Sequence, residues 1–167
     1  NAGTDSSGKS VPTSGIVVLC KTSKSLARMN ALFADRGIKK TYQCIVEGHP
    51  TESSGRLEHK LWRDTVKKKS FVSTRKDAQL AVLNYSLIAA GDRYSRLEVD
   101  LETGRHHQIR CQMQAIGHPI KGDLKYGAKR PNTDAGIDLC AQRIQFAHPI
   151  SNNPIDVSVE PGFSIPI

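Results

Sequence analysis

The spacing of apolar residues changes at Gly104, and this change constrains the fold more than any other feature of the chain. Before it, apolar and polar side chains alternate along residues 93–102, which predicts a strand with one buried and one solvated face. After it, apolar side chains recur at helical spacing, which predicts a helix. The two stripes consist of Leu97, Val99 and Leu101 in the strand and of Ile109, Met113 and Ile116 in the helix. The chain therefore combines strands with helices.

Turn and cap residues bound this strand–helix unit on both sides. Thr103 is the predicted N-cap of the helix, and Gly117 before a His-Pro pair predicts its end. Gly91-Asp92 predicts a turn between the strand and the β-rich residues 78–91. We therefore expect these two segments to pair as an antiparallel hairpin.

The chain upstream of this unit also alternates between strand and helix patterns. Residues 15–20 form a continuous apolar run, which predicts a strand buried on both faces. Residues 22–37 carry apolar side chains at helical spacing, with Thr22 or Ser23 as the predicted cap. Residues 39–48 are β-rich and predict the next strand.

The remaining segments complete the predicted architecture. A polar stretch that contains Trp62 and the Lys67-Lys68-Lys69 run predicts a short hairpin or loop. Residues 141–148 and 154–161 have strand-like patterns. Together these elements predict the α+β class, with a mixed, largely antiparallel β-sheet and a few flanking helices.

Length and local composition indicate how the chain is organised. A chain of 167 residues corresponds to one ordinary domain or to a large part of one. Residues 1–13 are rich in Gly, Ser and Asp and lack periodicity, so we expect an unstructured segment that resembles a tag or linker. Residues 14–167 then form the folded domain. No apolar run approaches the length of a transmembrane helix, and no signal peptide is visible.

Charge and cysteine usage indicate the kind of partner and the compartment. The chain has 24 Lys and Arg residues against 16 Asp and Glu residues, a net charge of +8. This excess favours polyanionic partners, nucleic acid first, although a merely basic soluble protein has the same composition. The four cysteines are widely spaced and form no Cys-x-x-Cys pair, which is typical of buried thiols in a reducing compartment. We therefore expect a cytoplasmic protein.

Several kinds of chemical site fit the sequence poorly. Adjacent residues on a helix point about 100° apart, so His106-His107 is a weak metal pair, and we expect no metal. The chain has no Gly-x-Ser-x-Gly elbow, P-loop or dinucleotide fingerprint. A phosphate or nucleic-acid contact fits better, because Arg105 flanks a predicted helix N-terminus. From these residues alone, Arg105 and His107 are equally well explained as ordinary solvated side chains.

Taken together, the motifs resemble one family. The chain is similar to the RluA-type RNA pseudouridine synthases in the order, spacing and residue identities of four sequence blocks. These blocks span nearly the whole ordered chain. The blocks read TSGIVVLCKTSKSLARMNALF, KKTYQCIVEG, TGRHHQIRCQMQAIGHPIKGDLKYG and LCAQRIQFAHP. The third block, with its Thr-Gly-Arg corner and downstream Gly-Asp, is the most specific of the four.

The resemblance implies an activity and its requirements. Such enzymes isomerise uridine to pseudouridine in structured ribosomal or transfer RNA, without cofactor or metal. The target base is flipped out of the RNA into a pocket. An aspartate attacks the ribose or promotes glycal formation, and the detached uracil turns and rejoins through C5. The resemblance also implies a monomer.

Individual residues take their expected roles from the same resemblance. Tyr42 matches the family's active-site tyrosine, where it would pack against the flipped base and assist the proton step at C5. Arg110 matches the family's arginine, which would pair with the aspartate and keep that group ionised. The residues expected to contact substrate or RNA are Thr13, Ser14, Lys40, Arg105, His107 and Gln108.

The catalytic aspartate is the main departure from the family pattern. Counting back from Thr13-Ser14-Gly15, its place is held by Ser10, and Asp5 has the wrong spacing. A serine hydroxyl cannot replace an ionised carboxylate without an activating base. Three explanations stay open: a shortened form of an active enzyme, a sequence that omits a loop carrying the aspartate, or a natural relative that binds RNA without modifying it. A smaller departure is Cys140, where the family usually has histidine.

Overall fold

One β-sheet organises the protein. The computed structural model describes residues 13–35 and 37–166, and within these residues eight strands form a single sheet accompanied by two α-helices. The elements are β1 (Ser14–Gly15), α1 (Ser23–Ala34), β2 (Ile38–Glu47), β3 (Ser54–Asp64), β4 (Lys69–Val72), β5 (Gln79–Ala90), β6 (Tyr94–Leu101), α2 (Gln108–Ala115), a 3-10 turn (Leu124–Tyr126), β7 (Leu139–Ala147) and β8 (Pro154–Ser158).

The strand order confirms the predicted fold class. The sheet runs β1-β7-β2-β6-β5-β3-β4, with β8 beside β7. Only β1 and β7 are parallel among the described pairs, so the sheet is mixed and largely antiparallel. The predicted hairpin of β5 and β6 is present, and the polar stretch around Trp62 forms a second hairpin, β3–β4. None of the described helices is long and apolar enough to cross a membrane.

The main core lies between α2 and the middle of the sheet. The predicted alternation along β6 is confirmed, since Leu97 and Val99 are fully buried. Ile109 and Met113 of α2 pack into the same cluster, so the helical stripe predicted from the sequence also faces the core. A second cluster lies beneath the β3–β4 hairpin and consists of Leu61, Ala81, Cys111 and Tyr126.

Helix α1 begins where the sequence predicts. Thr22 is its N-cap, and its hydroxyl accepts a hydrogen bond from the Ser25 backbone N–H at 3.1 Å. Met29 packs on the sheet together with Ile38 and Ile144. The helix ends at Ala34, short of the predicted end at residue 37.

The predicted strand at residues 15–20 is wrong beyond its first residue. Only Ser14 and Gly15 pair with β7, and the side chains of Val17 and Leu19 are 66% and 86% exposed. The cause lies in the edge of β7, because β8 pairs with the rest of that edge, at residues 143–147. The apolar run therefore has no free strand edge to extend along.

Gly15 marks the closest backbone approach in this parallel pair. Its φ is +113°, and a Cβ at this position would lie 2.4 Å from the Ala141 carbonyl oxygen. Real Cβ contacts are never that short, and φ in this range is strained for side-chain-bearing residues. Glycine is therefore required where β1 meets β7.

The predicted N-cap at Thr103 is also wrong. Helix α2 begins at Gln108, and its N-cap is His107, which has a left-handed φ of 51°. Residues 103–107 instead form a loop between β6 and the helix. The predicted stop at Gly117 is confirmed, since its N–H bonds to the Gln114 carbonyl and its φ is +86°.

Replacing Leu97 by alanine tests the assignment of the main core. We expect the free energy of unfolding to fall by about 2–5 kcal/mol, because a fully buried leucine would leave a cavity. The matched control is Leu80→Ala on β5, whose side chain is 43% exposed and whose loss should cost about 0.5 kcal/mol or less. Urea unfolding followed by circular dichroism measures both, and equal losses would contradict the assignment.

Candidate functional site

A cleft of about 750 Å³ lies between the end of α1 and the loop that joins β6 to α2. Its walls are the last turn of α1, the first residues of β2 and residues 101–105. Lys39, Lys40 and Arg105 line it together with Glu102, so cationic side chains outnumber carboxylates in its lining. Two residues expected to contact RNA, Lys40 and Arg105, thus meet in one place, although they are far apart in sequence.

The end of the Lys40 side chain lies against the corner of the loop. A Cβ at Gly104 would lie 3.1 Å from the Lys40 Nζ, so a side chain there would displace the ammonium group by a few tenths of an ångström. The same Nζ lies 5.3 Å from the centre of the Phe33 ring, within the range of a cation–π contact. Burial lowers the pKa of Lys40.

Gln108 holds the loop in shape from beneath. Its Oε1 accepts hydrogen bonds from the Arg105 backbone N–H at 2.9 Å and from the Thr103 hydroxyl at 2.8 Å. Its Nε2 donates to the Val82 carbonyl at 3.0 Å. Gln108 is buried, and both ends of its side-chain amide are used in these hydrogen bonds. Gln108 therefore shapes the backbone at Arg105, and its predicted contact with RNA stays a prediction.

Arg110 forms a buried bidentate ion pair. Its Nε donates to Asp123 Oδ2 at 2.6 Å and its Nη2 donates to Asp123 Oδ1 at 2.8 Å. The two side chains are only 5% and 1% exposed. Asp123, in the Gly-Asp pair downstream of the helix, is thus the partner of Arg110 among the described residues. The predicted pairing of Arg110 with the catalytic aspartate stays a prediction, because the place expected for that aspartate lies outside the described residues.

His107 joins this ion pair to Tyr126. Its Nε2 lies 3.1 Å from Arg110 Nη1, which can only donate, so Nε2 accepts and the proton is on Nδ1. Nδ1 then donates to the Tyr126 hydroxyl at 3.0 Å. Burial, followed by the charge of Arg110, lowers the pKa of His107 from 6.5 to about 3. The imidazole is therefore neutral at physiological pH.

Tyr126 connects the cluster to the β3–β4 hairpin. Its hydroxyl accepts a hydrogen bond from the Ser70 backbone N–H at 2.8 Å, and its ring lies 4.7 Å from the Arg110 guanidinium carbon. Lys69 Nζ lies 4.8 Å from the same ring. The sequence interpretation assigned no role to Tyr126. The only sign in the sequence that Tyr126 has a role is its position in GDLKYG, at the end of the third family block.

Tyr42 lies on β2, two residues after Lys40. Its backbone pairs with Val99 and Ala141, and its side chain packs against the main core cluster that includes Ile109. Burial raises the pKa of the Tyr42 phenol, which keeps the hydroxyl protonated at neutral pH. Its predicted role beside a flipped base stays a prediction.

Other predicted site residues lie apart from this cleft. Ser14 donates its hydroxyl to the Leu139 carbonyl at 3.4 Å and lines a separate cleft of about 570 Å³ together with Lys121 and Asp138. Thr13 precedes it and is exposed. Ser10, at the place expected for the aspartate, lies outside the described residues.

The described residues contain no group of three or more His, Cys, Asp or Glu side chains placed to hold a metal ion. The adjacent histidines instead stack on each other, with ring centres 3.8 Å apart. His106 bonds to Ser70 and His107 to Tyr126 and Arg110. Both rings therefore contribute to packing and hydrogen bonding within this part of the chain.

Comparison with known proteins gives a consistent result. Residues 11–115 match the family model described as RNA pseudouridylate synthase. The chain is 35% identical over 157 residues to ribosomal large subunit pseudouridine synthase D of Zymomonas mobilis, a match that covers 89% of this chain and 49% of the relative. It is 33% identical to the dual-specificity RNA pseudouridine synthase RluA of Yersinia pestis, with 90% and 74% covered.

The fold has solved counterparts as well. Human RNA pseudouridylate synthase domain containing 1 superimposes with a TM-score of 0.67 at 21% identity, over 84% of this chain and 61% of that one. Human RNA pseudouridylate synthase domain containing 4 gives the same TM-score of 0.67 at 19% identity. The chain spans about half the length of the first curated relatives that it matches.

Removing the charge of Asp123 tests the buried ion pair. We expect Asp123→Asn to lower the free energy of unfolding by about 3–5 kcal/mol, since the Arg110 charge would stay buried without a counter-charge. The matched control is Asp156→Asn, which breaks the exposed bidentate pair with Arg143 and should change stability little. Urea unfolding at pH 7 measures both, and similar small effects would contradict the structural role.

The protonation of His107 is a second test of the cluster. Because its pKa in the folded protein is about 3 and the ordinary value is 6.5, the unfolded chain binds more protons between these values. The stability from neutral His107 is therefore complete above about 6.5 and is lost as the pH falls towards about 3. Long-range ¹H–¹⁵N NMR should show a neutral ring protonated on Nδ1 throughout the folded pH range. A titration midpoint near 6.5 would contradict the hydrogen-bond assignment.

Proposed function

The chain belongs to the RNA pseudouridylate synthase family, and on this basis we propose that the full-length protein isomerises uridine to pseudouridine in structured ribosomal or transfer RNA. The observation that carries the proposal is the cleft between α1 and the β6–α2 loop. Lys39 and Lys40, on the strand that also carries Tyr42, meet Arg105 of the β6–α2 loop there. Cationic groups around a cleft attract the phosphates of RNA, and the volume of about 750 Å³ accommodates a nucleotide.

The residues of this chain take specific parts in the reaction. Lys40 and Arg105 hold the phosphates beside the target nucleotide, while Tyr42 packs against the flipped uracil. The bond between C1′ and N1 breaks, the uracil turns, and a bond forms between C1′ and C5, after which C5 loses a proton and N1 gains one. The Tyr42 phenol packs beside the base and assists this last step as a relay, accepting the C5 proton while it gives up its own. No cofactor or metal takes part.

The carboxylate that the reaction needs is not Asp123. Its side chain is 1% exposed, and both of its oxygens accept hydrogen bonds from Arg110. The attacking carboxylate must therefore be another residue, and the place expected for it holds Ser10. We propose that the natural full-length protein supplies it, that residues 14–167 form part of its catalytic domain, and that the protein is a cytoplasmic monomer.

Ser10 also favours a second candidate function. A relative with serine in place of the aspartate would bind structured RNA in the same cleft without modifying it. The sequence of the native gene distinguishes the two candidates. An Arg-Leu-Asp run encoded upstream of Ser14 supports the enzyme, and its absence supports the binding function. The two candidates also differ in turnover, because only the enzyme releases the hydrogen at C5.

Tritium release from RNA labelled at uridine C5 tests the proposed activity. We expect release by the full-length protein and a fall in kcat of about 100-fold or more in Tyr42→Phe, because the phenolic hydroxyl assists the proton step. Tyr94→Phe, on the neighbouring strand β6, is the matched control and should keep its activity. The 167-residue chain alone should bind RNA without turnover.

The possible outcomes separate the candidates. RNA binding that survives in the full-length protein without tritium release from ribosomal or transfer RNA would contradict the enzyme and support the binding function. Failure to bind either RNA at low salt would contradict both. Circular dichroism of the tyrosine variants shows that any loss of activity is not a loss of folding.

A further inference from the structure

A second pocket, of about 400 Å³, lies on the other side of the Gly104-Arg105 corner. It is formed by the β3–β4 hairpin, the start of β5 and the loop before α2. Its lining residues are Leu61, Trp62, Arg63, Ser70, Asp77 and Gln79, together with Gly104, Arg105 and His106. We call it the hairpin pocket. We propose that the hairpin pocket binds an RNA nucleotide next to the isomerised uridine, an inference that rests on the proposed function.

The two cavities share one wall. Gly104 and Arg105 line both the hairpin pocket and the cleft that contains Lys40. The Nε of Arg105 donates to the Leu80 carbonyl at 2.9 Å, which fixes the guanidinium on the ridge between the cavities. An RNA strand that places one nucleotide in the cleft therefore passes Arg105 and reaches the hairpin pocket with the next one.

The electrostatic environment of the hairpin pocket suits a phosphodiester chain. Arg63 is exposed and forms no ion pair within the described part of the chain. Burial, followed by the charges of Arg63, Arg110 and Lys125, lowers the pKa of His106, so several cations act on this one ring. A neutral ring surrounded by cations leaves a net positive site that favours phosphate.

The carboxylate in the pocket does not oppose this charge. Asp77 accepts a hydrogen bond from Arg75 Nε at 3.0 Å. The Arg75 guanidinium also lies 4.5 Å from the centre of the Trp62 ring. Asp77 is thus paired, and the Trp62 indole lines the pocket with the Arg75 guanidinium beside its ring. Planar cationic and aromatic groups of this kind stack with unpaired bases.

His106 offers a hydrogen-bond acceptor to the nucleotide. The Ser70 hydroxyl donates to the His106 carbonyl at 2.6 Å, so its oxygen accepts from the His106 Nδ1–H at 3.0 Å. In the neutral ring, Nε2 then carries no proton and can accept a hydrogen bond. A ribose 2′-hydroxyl or a base amino group can donate to it, and the first of these distinguishes RNA from DNA.

The pocket contains its own reporter, since Trp62 is the only tryptophan of the chain. Unlabelled hairpin RNA with a uridine-rich loop is added to the full chain, and the Trp62 emission is followed. In parallel, the anisotropy of the same RNA carrying a fluorescein label measures total binding. We expect the emission of Trp62 to change over the same RNA concentrations as the anisotropy, and a DNA hairpin of the same sequence to change it less.

Arg63→Gln gives the second arm of the test. We expect it to weaken RNA binding by about 3- to 10-fold and to lower the slope of log Kd against log salt by about one, as the loss of one phosphate contact does. The matched control is Arg93→Gln, which is exposed in the turn between β5 and β6, at the opposite end of β6 from Arg105. It should bind like the parent.

The outcomes distinguish this inference from the proposed function. RNA binding by anisotropy without a change in Trp62 emission, or equal binding by the two arginine variants, would overturn the hairpin pocket and leave the proposed function standing. Absence of RNA binding by the parent chain would overturn both. An emission change that an acidic peptide such as polyglutamate produces equally would overturn the assignment to RNA.

Discussion

The buried ion pair between Arg110 and Asp123 is the interaction on which the arrangement of the site depends. Two unit charges are removed from water there, and this is tolerable only because both are paired in bidentate geometry. The Arg110 guanidinium also contacts His107 and the Tyr126 ring, and Tyr126 in turn receives the Ser70 N–H. One ion pair thereby fixes the start of α2, the 3-10 turn and the β3–β4 hairpin with respect to one another.

This arrangement separates residues that support the site from residues that face its ligand. Arg110, His107 and Tyr126 engage one another, and Gln108 is committed to the loop backbone. Their combined effect is to present Arg105 on a ridge between two cavities. Neighbouring residues of the third block therefore have different roles. Those at the start of α2 are buried, whereas Gly104 and Arg105 before the helix line the two cavities.

The sequence predicted those features that depend on local pattern. The alternation along β6, the cap at Thr22 and the stop at Gly117 are local, and the structure confirms them. The failures depend on contacts distant in sequence. Residues 16–20 look like a buried strand, yet β8 occupies the edge they would need. The partner of Arg110 lies in a loop, and no periodicity shows that its carboxylate turns inward.

The close approach at Gly15 has a consequence for how β1 and β7 are aligned. A slip of one residue in either direction would bring Ser14 or Ile16 against the Ala141 carbonyl, where no Cβ fits. Most strand pairs are aligned by the side chains they bury, but this one is aligned by the side chain it lacks. The absence of a single methyl group thus acts as an alignment mark. It sets, to within one residue, the register in which β1 pairs with β7.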